Sequence, residues 1–157
     1  DNCLDPTDVF SIYSPTMTAK TGEELRPRLF ANRENQPLRY TWTVIEAPTG
    51  SKATVDNSVG SASVSTPFEY HYLEDKVVGF TPDKAGTYKL QVIAEMVWAD
   101  PVTGQEGVMA ETTLELEAEG PNQGSGCATV GTTDDGKLWA MAGLFGLGLV
   151  AGRRRRE

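Results

Sequence analysis

Apolar and polar positions alternate with a period of two through much of residues 9–118, and no stretch before Leu138 shows helical periodicity. Tyr40, Trp42 and Val44 stand against Arg39, Thr41 and Thr43, so one face is apolar. Tyr88, Leu90, Val92 and Ala94 stand likewise against Thr87, Lys89 and Gln91. In a third run Thr112, Leu114 and Leu116 oppose Glu111, Glu115 and Glu117, which gives one wet face and one buried face. The pattern predicts strands over Val9–Thr18, Glu24–Ala31, Leu38–Ile45, Ala53–Asp56, Tyr70–Phe80, Thr87–Trp98 and Val108–Glu117. Turn residues separate them, as in Pro48-Thr49-Gly50-Ser51 and Asp100-Pro101-Val102-Thr103-Gly104. Short, alternating strands at this spacing predict an all-β antiparallel sandwich. Its core would contain Trp42, Val44, Tyr88, Leu90, Val92, Leu114 and Leu116.

Composition narrows the function classes. The chain has 157 residues, long enough for one ordinary domain plus tails. Two Cys and one His exclude a disulfide framework and a zinc site of four Cys and His ligands. Before Cys127 there are nine Lys/Arg against nineteen Asp/Glu. An acidic body of that kind repels phosphate backbones, so no nucleic-acid partner is expected.

Two strings in the predicted sandwich carry a resemblance. Tyr40-Thr-Trp42-Thr-Val-Ile-Glu-Ala-Pro48-Thr-Gly50-Ser51-Lys-Ala53 resembles the YxWxxxxxPxGSxA stretch of bacterial PKD-like domains. Phe80-Thr-Pro82-Asp83-Lys-Ala-Gly86-Thr-Tyr88-Lys-Leu90-Gln-Val92 is similar to the FxPDxxGxYxLxV hallmark of the same family. The resemblance spans roughly residues 10 to 118 and implies an Ig-like sandwich. It implies that Trp42 is the central core tryptophan. It also implies that Gly86 turns the chain with a positive φ, and that Tyr88 is a tyrosine corner with Asp83 closing the same turn. Val55–Tyr72, rich in Ser, Val and Gly, is longer than the family usually has there. As a loop insert its tip would be the variable binding surface.

The C-terminal part differs in character. Leu138 to Gly152 is fifteen residues without a charge, followed by Arg153, Arg154, Arg155 and Arg156. A helix over that stretch would be roughly 22 Å long, short of a hydrocarbon core of roughly 30 Å unless Lys137 and the arginines snorkel. The arginines would stay cytoplasmic and the acidic body would lie outside. Gly143, Gly146, Gly148 and Gly152 suit a membrane helix better than a soluble one. Gly124-Ser-Gly126-Cys127, a polar spacer, the apolar segment and the arginines together resemble C-terminal sorting signals of the MYXO-CTERM type. GlyGly-CTERM signals share the layout. The resemblance implies cleavage by a sorting protease and retention at a bacterial cell surface through a lipid on Cys127, next to Gly126. The chain begins at Asp1 without Met and without an apolar leader, so either a signal peptide has been removed or this is a C-terminal fragment; the outward orientation of the body needs export, so a removed signal peptide is expected. The expected organisation is an N-terminal extension over 1–8, the sandwich over 9–118, a flexible linker with the sorting Cys over 119–137, and helix plus basic tail over 138–157. Cys3 can pair with Cys127 only if the termini approach within about 7 Å, and sandwich termini commonly leave from opposite ends. A bond to another domain or chain is the alternative.

Chemistry is sparse. His71, the only histidine, lies in the alternating Tyr70-His71-Tyr72 and reads as a strand residue. No G-x-S-x-G, H-E-x-x-H or P-loop occurs. Glu111, Glu115 and Glu117 read as a solvated face. Glu74, Asp75, Asp83, Asp100 and Glu106 fall in or near loops, where carboxylates could bind calcium, but no EF-hand spacing is present. No catalytic residues, cofactor or metal are therefore expected. The expected function is a noncatalytic, surface-anchored module for adhesion or protein contact, with an unknown surface protein or carbohydrate as partner and the membrane reached through the tail. An accessory domain of a larger secreted hydrolase and a structural subunit of a surface assembly are the alternatives.

Overall fold

The structure is a computed structural model, and it describes residues 7–121. These residues form an all-β, Ig-like sandwich. The strands are β1 (Ile12–Tyr13), β2 (Met17–Lys20), β3 (Leu29–Ala31), β4 (Leu38–Glu46), β5 (Val55–Asp56), β6 (Val59–Ser65), β7 (Glu69–Tyr72), β8 (Gly79–Phe80), β9 (Gly86–Met96) and β10 (Met109–Glu119). Eight of them form one sheet in the order β1-β3-β7-β6-β4-β9-β10-β2, and β5 pairs with β8. The sheet curls over at β6, which pairs with β4 through Val59–Ala62 and with β7 through Ala62–Ser65, with a register shift between Ala62 and Val64. The β3–β7 layer thereby faces β4, β9 and β10. Tyr40 of β4 meets Tyr72 of β7 edge to face, with ring centroids 5.1 Å apart.

The inner face is what the alternation dictates. Leu38, Tyr40 and Trp42 of β4, Tyr88 to Met96 at every second position of β9, and Leu114, Leu116 and Ala118 of β10 are buried. Leu29, Ala31, Tyr70 and Tyr72 close the core from the other layer. Val44 is only partly buried. It continues the apolar face of β4, but β6 pairs with β4 no further than Thr41, so the cover ends one strand-step earlier.

Several predicted strands change shape. Val9–Thr18 is two strands, because Ser14-Pro15-Thr16 carries the chain from β3 across to β10. Pro15 lacks a ladder N–H. β2 then runs parallel to β10, pairing Met17–Lys20 with Leu116–Glu119, so the sandwich is not wholly antiparallel. Tyr70–Phe80 breaks at a 3-10 turn over Glu74–Lys76. Val55–Tyr72 is not a loop insert: it holds β5, β6 and β7, and its predicted tip is a paired strand. A glycine serves β6 at one point, since a Cβ on Gly60 would overlap the Tyr40 hydroxyl. β10 extends through Glu119, and Thr21 holds the chain beyond it, its amide donating to the Glu119 carbonyl and its hydroxyl to that of Pro121 at 2.6 Å. Residues 122–137 of the expected linker, the helix and basic tail over 138–157, Cys3, Gly126 and Cys127 lie outside the described residues. Among the described residues no helix is long and apolar enough to cross a membrane.

Candidate functional site

Strand β9 spans the sandwich from Gly86 to Met96, and polar side chains gather at both of its ends. At the Gly86 end Tyr88 is fully buried apart from its hydroxyl's partners. That hydroxyl donates within reach of the Lys84 carbonyl (3.0 Å) and Asp83 Oδ1 (3.0 Å), and accepts from the Lys84 amide (3.0 Å). Asp83 in turn accepts from the Ser51 hydroxyl at 2.5 Å and from the Lys52 amide at 2.7 Å. The two sequence strings are therefore one junction, in which the Pro48–Ser51 turn is pinned to the turn before β9. Gly86 has φ of +125°, and a Cβ there would lie 3.0 Å from Pro48 Cγ. Partial burial pushes the Asp83 carboxyl up, but hydrogen bonds from Ser51, Lys52 and Tyr88 outweigh it and hold the group below its ordinary range. Replacing Tyr88 by Phe should lower stability by about 1–3 kcal/mol, because the Lys84 amide and carbonyl lose a buried partner. Urea unfolding measures this, and an unchanged midpoint would show the junction to be ornamental.

At the Met96 end a second junction joins segments that the sequence keeps far apart. Arg33, from the β3–β4 loop, donates through Nε to Asp100 Oδ1 (2.6 Å) and through Nη2 to Asp100 Oδ2 (2.9 Å). The two side chains are 1% and 0% exposed. Nη1 reaches the Asn32 carbonyl and Nη2 the Thr7 carbonyl, so the guanidinium also ties down the start of the described chain. Tyr70 donates to the Arg33 carbonyl. Burial pushes the Tyr70 hydroxyl up to about 12. Asp100 also accepts from the Val102 amide and the Thr103 hydroxyl, and its backbone bonds Gln105 and Gly104. The predicted Asp100–Gly104 turn is thus a closed loop hung on one buried ion pair.

Trp42 is 2% exposed, and its indole Nε1 is the one buried side-chain polar atom without a hydrogen-bond partner among the described residues. The Tyr72 hydroxyl donates to the Pro27 carbonyl at 2.8 Å, which leaves its oxygen free to accept, and it lies near enough to feel the indole N–H. Trp42 also borders a shallow groove lined by Thr43, Val44, Ala47, Ser51 and Val55, past the point where the β4–β6 ladder ends at Thr41.

The carboxylates at both junctions are engaged by donors of this chain. His71 is exposed on β7 opposite Val64 and apart from both. Asp83 and Asp100 are at opposite ends, each saturated by donors of this chain, and Glu74, Asp75 and Glu106 are exposed on other segments. Among the described residues no group of three or more His, Cys, Asp or Glu side chains could hold a metal ion. Glu111, Glu115 and Glu117 are exposed along β10, where Glu117 accepts from Thr87 and Glu111 from Gln91. Sequence reasoning missed Arg33 as a site residue. A buried Arg between Asn and Glu leaves no local pattern, and its partner lies 67 positions away.

No family model matches this chain, and no curated protein matches it. Among solved structures, a conjugative transposon lipoprotein from Bacteroides eggerthii is similar over 70% of this chain and 98% of its own, with 11% identity and a TM-score of 0.37. A PapD-like (ASH) domain of human CEP192 is similar over 72% of this chain and 85% of its own, with 13% identity and a TM-score of 0.32. The Ig-like assignment rests on the strand order, the parallel β2–β10 pair and the two-layer core described above.

Proposed function

We propose that this chain is a noncatalytic Ig-like module, related to PKD-like domains, that is displayed at a bacterial cell envelope and makes a protein contact there. One observation carries the reading. The buried polar groups gathered at the two ends of the sandwich are spent on holding loops, while the large side chains left exposed include apolar ones on those loops, among them Trp98 at 62%. Display would depend on the tail, where Cys127 would carry the anchor and the apolar stretch from Leu138 would be removed by a sorting protease.

The test is fractionation of the source bacterium expressing the full reading frame. The protein is expected in the envelope fraction and exposed to protease added to intact cells. Cys127→Ser is expected to shift most of it to the medium. Recovery of the wild-type protein in the cytosol, or unchanged retention of the Cys127 variant, would overturn the anchoring. A second reading, a structural subunit that takes up a strand from a neighbour, is favoured by the groove beside Trp42 and Val44, where the β4–β6 ladder has ended at Thr41.

A further inference from the structure

The Met96 end of the sandwich differs from the Gly86 end in charge and in what it exposes. The twelve residues between β9 and β10, Val97–Val108, contain Asp100 and Glu106 and no Lys or Arg. The neighbouring segments contribute Asp8, Glu34 and Glu95; of the cations there, Arg33 is buried against Asp100 and Arg39 is paired with Glu95 at 4.0 Å. Asp8, Glu34 and Glu106 are exposed and make no ion pair among the described residues. Lys20, Lys52 and Lys84 are all at the other end, where the described chain leaves at Pro121. At this end the loops expose Trp98 at 62%, Val102 at 43% and Val9 at 70%.

This loop surface is held in place. Val97 donates to the Pro37 carbonyl (3.0 Å), Met96 to Val108 (3.0 Å), Asp100 to Gln105 (2.7 Å) and Gly104 to Asp100 (2.7 Å). The Arg33–Asp100 pair fixes the loop to the β3–β4 loop and to Thr7 at once. A loop so restrained has little entropy left to lose when a partner docks, and an exposed Trp on a rigid support is the residue type that dominates contact energies. An exposed indole at an end of the sandwich that also presents carboxylates attracts Lys or Arg twice, by cation–π contact and by charge.

We infer that the Trp98 loop surface is the contact face of the module and that its partner is a basic polypeptide segment, Lys/Arg-rich and interspersed with apolar side chains. This rests on the protein-contact reading above and specifies its face and its chemistry. The test uses the full 157-residue chain and short fluorescent peptides. One alternates Lys with Leu, one has Glu in place of Lys, and one has Ser in place of Leu. The Lys/Leu peptide is expected to bind in a salt-sensitive way and the other two weakly or not at all. Trp98→Ala is expected to weaken binding at least roughly tenfold with the melting temperature retained, because the side chain is exposed. Joint replacement of Asp8, Glu34 and Glu106 by Asn, Gln and Gln should flatten the salt dependence. Equal binding of the Lys/Leu and Glu/Leu peptides, or unchanged affinity in Trp98→Ala, would overturn the inference. Those results would leave envelope display standing. A cytosolic protein that still bound the Lys/Leu peptide through Trp98 would overturn display and keep the surface.

Discussion

Replacing Asp100 by Ala should destabilise the protein by about 3–5 kcal/mol, because it strands the Arg33 guanidinium in the interior without its counter-ion. The pair is sealed from water, with side-chain exposures of 1% and 0%. Two short, parallel hydrogen bonds define its geometry. The carboxylate also holds the Val102 amide and the Thr103 hydroxyl, so its loss unpins the Trp98 loop as well. A change of that size lowers the melting temperature of a domain this long by roughly 10–20 °C. The double variant Arg33→Met with Asp100→Ala should be less impaired than Asp100→Ala alone, since no buried charge is left over. The pair also sets an acid limit. The Arg33 hydrogen bonds hold the Asp100 carboxyl far below its ordinary range, against burial, which acts the other way. A depressed folded-state pKa gives stability that is fully present above the unfolded-state value of about 3.9 and drains away as pH falls below it. The stability of the wild type should therefore drop below about pH 4, and Asp100→Ala should have a shallower acid limb. Equal melting temperatures for wild type and Asp100→Ala would show that the guanidinium finds water after all.

How much of this was legible depended on whether the cause was local. β4, β9 and β10 alternate cleanly, because each has one face on the core and one on solvent, and the sequence analysis finds all three within a few residues of their ends. The junction at Asp83, Gly86 and Tyr88 is likewise written within six positions, and the partner string at Pro48–Ser51 is itself a turn. β6 is different. Val-Gly-Ser-Ala-Ser-Val-Ser has small, polar side chains and reads as a loop, yet it is a strand because β4 and β7 supply hydrogen bonds on both sides. The Arg33–Asp100 pair was illegible for the same reason in another form: Arg33 sits in a loop sequence rich in turn residues, and only the meeting of two loops at one end of the sandwich reveals it. Trp98 was read as the end of a strand, whereas β9 stops at Met96 and the indole is left outside. The contact surface inferred for the module is thus made of residues whose roles are set by tertiary placement, while the residues that the sequence marks out are those that build the scaffold.

Trp42→Ala should lower stability by about 3–5 kcal/mol, the range for deleting a large buried aromatic side chain. Trp42 lies mid-strand between β6 and β9, with Val92 directly opposite on β9. The inner positions on either side, Tyr40 and Leu90, are also buried, so the vacated space has rigid walls and little means of collapse. Trp42→Phe separates packing from hydrogen bonding. The indole N–H is buried without a full hydrogen bond, and the acceptor beside it is the Tyr72 oxygen, whose own proton goes to the Pro27 carbonyl. Phe keeps most of the apolar contact and removes a donor that makes no full hydrogen bond, so its cost should be no more than about 1–2 kcal/mol. The expected order in urea is wild type, then Trp42→Phe close behind, then Trp42→Ala well below both. An unaltered midpoint for Ala would remove Trp42 from the core. A Phe variant as weak as the Ala variant would mean that the indole N–H is held by a partner, the Tyr72 oxygen beside it.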